Sequence, residues 1–187
     1  MVQSPAKPIT LEDFLQLPET KPASEYINGE IIQKPMPQGK HSRLQRKLID
    51  GINLVLEEPK IAEAFPELRC VFGGRAIVPD IAVFMREQVP VDADGDIKNV
   101  FNAAPDWIIE ILSPDQNQTK VTSKILHCLK HGTQMGWIVD PKVKSIITYA
   151  PQQQPEIFED AIDALPTPSF AASVRFTIGE IFGWLKV

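Results

Sequence analysis

One carboxylate stands where a carboxylate is costly: Glu110, inside the apolar run Trp107-Ile108-Ile109-Glu110-Ile111-Leu112. The run is short, β-branched and bounded by Pro105-Asp106 and Ser113-Pro114, so it predicts a buried central strand. A charge buried there must be paired, metal-bound or protonated, because isolating it costs several kcal/mol or more. Asp80, in Val78-Pro79-Asp80-Ile81-Ala82-Val83-Phe84, opens a second strand, and Lys124 falls on a helix face with Val121 and Cys128. Two carboxylates and a lysine are a minimal kit for metal-dependent phosphodiester hydrolysis. Mg²⁺ or Mn²⁺ is held by one or two acids, waters and the substrate phosphate. A nearby lysine orients the attacking water or stabilises the phosphoryl oxygens.

Each residue also has a plainer reading. A Pro-Asp pair at a strand edge is ordinary turn chemistry. Lys124 can snorkel along apolar surface, and Glu110 can form a salt bridge to Arg69, Arg75 or Lys124. Because Glu is almost never fully buried without a partner, pairing of Glu110 with Lys124 is the expectation. By spacing alone, His41 at a helix start reads as a solvated or capping residue, and Glu30 as an exposed hairpin acid. Lys40, Arg43 and Lys47 form a basic stripe that is either a solvated face or a phosphate contact.

The elements that must position these groups follow from pattern. Thr10 and Asp13 cap a short helix carrying Leu11, Phe14 and Leu15, ended by Pro18. Asn28-Gly29 between Tyr26-Ile27 and Glu30-Ile31-Ile32 predicts a hairpin. Leu44, Leu48, Ile52 and Val55 or Leu56 predict a helix over 41–57, and a loop or short helix leads to Leu68. Strands are predicted at 69–72 and 76–84 around Gly73-Gly74, then a loop over 86–104 and the Glu110 strand over 107–112. A helix over about 119–131 ends at Gly132. Strands follow at Trp137-Ile138-Val139 and Ser145-Tyr149. Residues 151–170 read as a surface excursion. Thr177 and Glu180 open a last helix, with Phe176 and Ile181 as a staple. The sum is an α/β (α+β) fold, a central mixed sheet flanked by helices.

The 187 residues suit one domain over 1–187, and 43% hydrophobic with 23% charged residues is ordinary globular composition. No run of about 18 apolar residues exists to span a membrane. Met1-Val2-Gln3-Ser4-Pro5 lacks the regions of a signal peptide, and two cysteines without CxxC spacing fit a reduced cytoplasm. Nineteen Lys and Arg against 24 Asp and Glu give a net charge of −5. That sign weighs against a protein living by non-specific nucleic-acid binding, unless local patches or metal ions offset it.

Several segments occur together in a familiar order. They are Tyr26-Ile27-Asn28-Gly29-Glu30-Ile31, His41, Val78-Pro79-Asp80-Ile81-Ala82-Val83, Pro105 to Pro114 with Glu110 at its centre, Lys124, and Gly136-Trp137-Ile138-Val139-Asp140-Pro141. The set resembles the Uma2 family of restriction-endonuclease-like proteins, abundant in cyanobacteria, from about Thr10 to Tyr149. The resemblance implies a PD-(D/E)XK nuclease core, with Asp80 and Glu110 as the acids of the motif. The lysine usually found two residues after the second acid, where Leu112 stands here, is carried by the following helix in this family, at Lys124. Glu30 and His41 match further family positions near the site. Three positions depart from the family pattern: Cys128 for a tyrosine, Lys120 for an acid, and Gly136 for an aromatic residue.

The function expected is metal-dependent hydrolysis of DNA phosphodiester bonds, with Asp80, Glu110 and the Ile111 carbonyl binding Mg²⁺ or Mn²⁺. Lys124 would position water or stabilise the phosphate. Glu30 would serve as an outer acid, and His41 as a phosphate contact or proton shuttle. The competing expectation is a catalytically degenerate nuclease fold that binds nucleic acid or a protein. Analogy with nucleases that cut both strands suggests a homodimer.

Overall fold

Asn28 and Gly29 both adopt positive φ, 54° and 87°, and this turn folds β1 (Ser24–Ile27) onto β2 (Glu30–Gln33). The structure is a computed structural model that describes residues 9–114 and 116–187. The reading of Met1 to Pro5 lies outside them. Before the hairpin, Thr10 and Asp13 close a capping box on α1 (Leu11–Leu15). After it, α2 (Gly39–Leu56) buries Leu44, Leu48, Ile52 and Leu56, the face its periodicity predicts.

The stretch expected as one strand over 76–84 is two. β5 (Arg75–Ile77) pairs with β1 and with β4 (Cys70–Phe72), and β6 (Ile81–Met85) belongs to another sheet. Pro79 has no N–H to give to a ladder, and the Val78 N–H is taken by a side chain, Glu25. The chain therefore leaves one sheet at Ile77 and enters the next at Ile81. Where a single sheet was expected there are two, one ordered β2-β1-β5-β4 and the other, in order, β10 (Glu156–Phe158), β9 (Ser145–Tyr149), β8 (Met135–Asp140), β7 (Trp107–Ile111), β6 and β3 (Ala62–Pro66).

The larger sheet is mixed. β7 (Trp107–Ile111) runs parallel to β8 (Met135–Asp140), and α3 (Gln118–Lys130) makes the crossover that parallel neighbours require. β6 and β7, like β8 and β9 (Ser145–Tyr149), are antiparallel. Strand alternation splits β7: Trp107, Ile109 and Ile111 pack toward α2 and α4 (Ile178–Gly183). Ile108 and Leu112 pack on the opposite side, with Val121, Ile125 and Cys128 of α3 and with Cys70 and Ile77 of the smaller sheet. No described helix is long and apolar enough to cross a membrane.

Two segments differ from expectation and a third matches it. Residues 62–66, read as loop or short helix, form strand β3 (Ala62–Pro66) along β6. The Asn53 side chain holds β3, accepting from the Ala64 N–H at 2.7 Å and donating to the Ala64 carbonyl at 3.1 Å. Alanine and glutamate carry little strand propensity, so only this long-range pairing fixes the segment. Within 151–170, β10 (Glu156–Phe158) adds an edge strand to β9. The loop over 86–104 is anchored by Phe101, fully buried between the rings of Phe65 and Phe84.

Gly136 is where α3 comes down on β8. A Cβ there would lie well inside van der Waals contact distance of Ile125 Cγ2 and 3.3 Å from Ile108 Cγ2. Both are β-branched methyls with little freedom to move. Gly136→Ala is expected to destabilise by about 1–3 kcal/mol through overpacking, and much of that loss should vanish in an Ile125→Ala background. Urea titrations of the double-mutant cycle check this, and additive losses would show that the contact is not the cause.

Candidate active site

Asp80 lies in the crossing between the two sheets, 2% exposed, with both oxygens engaged. The Ile111 N–H donates to Oδ2 at 2.7 Å, and His41 Nε2 lies 3.1 Å from the same oxygen. Lys34 Nζ donates to Oδ1 at 2.7 Å and to the Val78 carbonyl at 2.8 Å. Burial opposes ionisation of this carboxyl. The Lys34 charge and the His41 contact outweigh it, so the group is held below the usual carboxylate range.

Glu110 faces the other way in energetic terms. It is 1% exposed, and neither carboxylate oxygen has a hydrogen-bond partner among the described residues. Lys124 Nζ lies 3.1 Å from Oε1, within ion-pair distance but outside hydrogen-bonding alignment. Burial lifts the Glu110 carboxyl to about 7. Lys124 offsets only part of that, and the nearby Asp80 charge adds to it. Lys124 makes its shorter contact, 2.7 Å, to Glu25 Oε1, the oxygen that also accepts the Val78 N–H at 2.8 Å. Burial disfavours the ammonium, but Glu110 and Glu25 together raise its pKa above the ordinary lysine value.

Of the residues singled out in the sequence, Glu110 and Lys124 meet, His41 meets Asp80, and Ile111 meets Asp80 through its amide. A strand residue turns its N–H and C=O to the same side, so the Ile111 carbonyl looks toward the β6 side as well. Glu30 is the exception: it is exposed and outside the cluster. It pairs with Ile27, whereas Glu25 pairs with Ile32, so Glu30 stands two residues farther out along the hairpin, about 7 Å. Glu25, not Glu30, is the hairpin acid that reaches Lys124. Sequence reasoning missed both Glu25 and Lys34. Glu25 was legible in principle, because it shares a strand face with the core-packed Ile27.

Two adjoining cavities open onto the cluster. One of about 530 Å³ is lined by Glu25, Lys34, Lys120 and Lys124 with Ile32, Met36 and Val121, and one of about 350 Å³ by Lys40, His41, Asp140 and Lys142. Gln38, Ser113, Pro114 and Gln116 belong to both walls. Among the described residues no three His, Cys, Asp or Glu side chains are grouped to cage a cation. Mg²⁺ and Mn²⁺ ask for less, one or two carboxylates completed by water and substrate phosphate. Glu110, with two buried oxygens that lack hydrogen-bond partners among the described residues, and the neighbouring Asp80 fit that requirement.

The sequence model of the Uma2 family, described as "Putative restriction endonuclease", matches residues 11–179. A solved structure described as a putative nuclease belonging to DUF820, from Anabaena variabilis ATCC 29413, is 56% identical with a TM-score of 0.94. The match covers 96% of this chain and 100% of that one. No protein with a curated description matches.

Glu110 sets a pH dependence with a definite sign. Its carboxyl is raised from 4.5 to about 7 by folding, so between those values the folded chain holds a proton the unfolded chain releases. The stabilisation is complete below pH 4.5 and lost as pH rises through 7. Glu110→Gln mimics the protonated group. In EDTA, its urea midpoint should match wild type at pH 4.5 and exceed it increasingly toward pH 8. Parallel curves would mean that Glu110 is ionised throughout.

Proposed function

The chain belongs to the Uma2 family, and from that premise we propose that it hydrolyses DNA phosphodiester bonds with Mg²⁺ or Mn²⁺. The family and the solved neighbour support a nuclease. The observation that carries the metal-dependent reading is Glu110, whose two buried oxygens lack hydrogen-bond partners among the described residues while Asp80 lies beside it. Buried acceptors left open in this way call for an occupant. Asp80 and Glu110 would hold the cation, with the Ile111 carbonyl as a further oxygen donor. When bound, the cation supplies positive charge against the phosphoryl and leaving oxygens.

The chain's own residues have separate tasks. Lys124, kept charged by Glu110 and Glu25, lines the larger cavity, where it orients water and stabilises the phosphoryl oxygens. Glu25 fixes that ammonium and is itself fixed by the Val78 N–H. His41 spends Nε2 on Asp80 and keeps a buried Nδ1 without a partner among the described residues, so it can contact a phosphate or move a proton. The first turn of α2, which no side chain caps, opens with His41 onto the smaller cavity and favours an anion there. Lys40, Lys120 and Lys142 are exposed on the cavity walls and give the locally basic surface that a net charge of −5 conceals. Cutting both strands would call for a homodimer. The buried free thiols of Cys70 and Cys128 suit a reduced, cytoplasmic setting.

One observation favours a second reading. Lys34 already neutralises Asp80, and Lys124 already faces Glu25 and Glu110, as in a degenerate nuclease fold that only binds nucleic acid. The experiment is cleavage of supercoiled plasmid in Mg²⁺ or Mn²⁺ by wild type, Asp80→Ala, Glu110→Ala and Lys124→Ala, with circular dichroism to confirm folding. Each variant should lose about 100-fold or more in rate. Equal rates in all four proteins would refute the reading. DNA binding without cleavage, steep in salt and indifferent to divalent ions, would establish the binding module.

A further inference from the structure

The two oxygens of Asp80 are not equivalent. Oδ2 is held by the Ile111 N–H and faces His41 Nε2, both anchored on core elements, so the carboxylate cannot turn. Oδ1 has Lys34 as its one side-chain partner among the described residues, at 2.7 Å. A cation joining Asp80 would therefore take Oδ1, and Lys34 stands there. The Lys34 side chain is only 8% exposed. Its backbone is tied by the N–H to the Ala23 carbonyl at 2.9 Å. Its flexible four-carbon stem, however, lets the ammonium leave without moving the strand, giving up its 2.8 Å bond to the Val78 carbonyl as well as its contact with Oδ1. The larger cavity, which Lys34 itself lines beside Lys124, is where it would go.

We propose that Lys34 is the resident counter-ion of Asp80, and that a divalent cation binds only by displacing its ammonium into the cavity. This rests on the metal-dependent reading above. An ammonium and a divalent cation at Oδ1 repel each other at close range, so Lys34 lowers cation affinity in the free protein. Once displaced, it adds a donor to the wall that would face a substrate phosphate. Lys34 is thus a positioning residue that sets when the centre loads.

The test is Mn²⁺ binding to the intact, DNA-free chain by calorimetry, comparing wild type, Lys34→Met and Lys34→Arg, each with and without Asp80→Asn. Lys34→Met should bind Mn²⁺ about tenfold more tightly than wild type. Lys34→Arg should stay near wild type, and Asp80→Asn should abolish the gain. Should Lys34→Met not fold, Lys34→Gln removes the charge and keeps a donor, and the same gain is expected. Equal or weaker binding by the neutral variants overturns the proposal while leaving the metal centre standing. An equal gain in Lys34→Arg, or a gain indifferent to Asp80→Asn, also overturns it. Absence of Mn²⁺ binding in every variant overturns both the proposal and the metal-dependent reading.

Discussion

Much of this molecule turns on three residues that belong to neither sheet. Between Ile77 and Ile81 the chain crosses from one sheet to the other, and apart from the Asp80 carbonyl, which also accepts the Glu67 N–H at 3.3 Å, its backbone polar groups have no ladder to join. Buried N–H and C=O groups cannot be left open. Here side chains take them up. Glu25 accepts the Val78 N–H, Lys34 donates to the Val78 carbonyl, and Gln45 donates to the Asp80 carbonyl at 2.8 Å. Two of those three are members of the charged cluster. The groups that close the crossing are thus the groups that set the electrostatics around Asp80 and Lys124, and fold and site cannot be varied independently.

The cluster treats its acids unequally. Asp80 is surrounded by donors, and its proton is driven off. Glu110, on the adjacent strand, meets apolar surface and an ill-aligned lysine, and holds its proton up to about 7. Neighbouring carboxylates pushed apart by their surroundings are a recurrent arrangement where proton and charge are handled at neutral pH. Removing Lys124 would leave Glu25 and Glu110 facing each other unscreened, and the cost of an uncompensated buried charge exceeds what an exposed pair ever contributes. The cluster is therefore maintained by mutual compensation of its charges.

How much of this was legible depended on how local the signal was. Glu110 announced itself by violating its own strand's pattern, and Lys124 by sharing a helix face with Val121 and Cys128. Of the residues that complete the cluster, Lys34 carried no such mark and Glu25 only that of sharing a strand face with Ile27. Glu25 lies within β1 and Lys34 just past β2, separated by 53 and 46 positions from Val78 and Asp80, the groups they contact. Only the pairing of β1 with β5 brings them there. The same limit hid β3, whose composition argues for no strand and whose register is fixed by β6 and Asn53. Alternation along β7 was readable because it needs no partner, whereas the break at Pro79 was not read as a change of sheet.

The three departures from the family pattern have local reasons that leave the acids untouched. Gly136 is required where Ile125 lies on β8, so an aromatic side chain at this position would lift α3 off the sheet. Cys128 is buried in the apolar layer with Cys70 and Ile108, where burial keeps its thiol protonated and a phenolic hydroxyl would need a partner. Lys120 stands one turn before Lys124 on α3 but is exposed, on the wall of the larger cavity rather than in the buried cluster. Its charge is screened from Glu110 by solvent and open to an incoming phosphate. A lysine at this position therefore strengthens anion attraction at the mouth of the cleft without competing for the carboxylates beneath it.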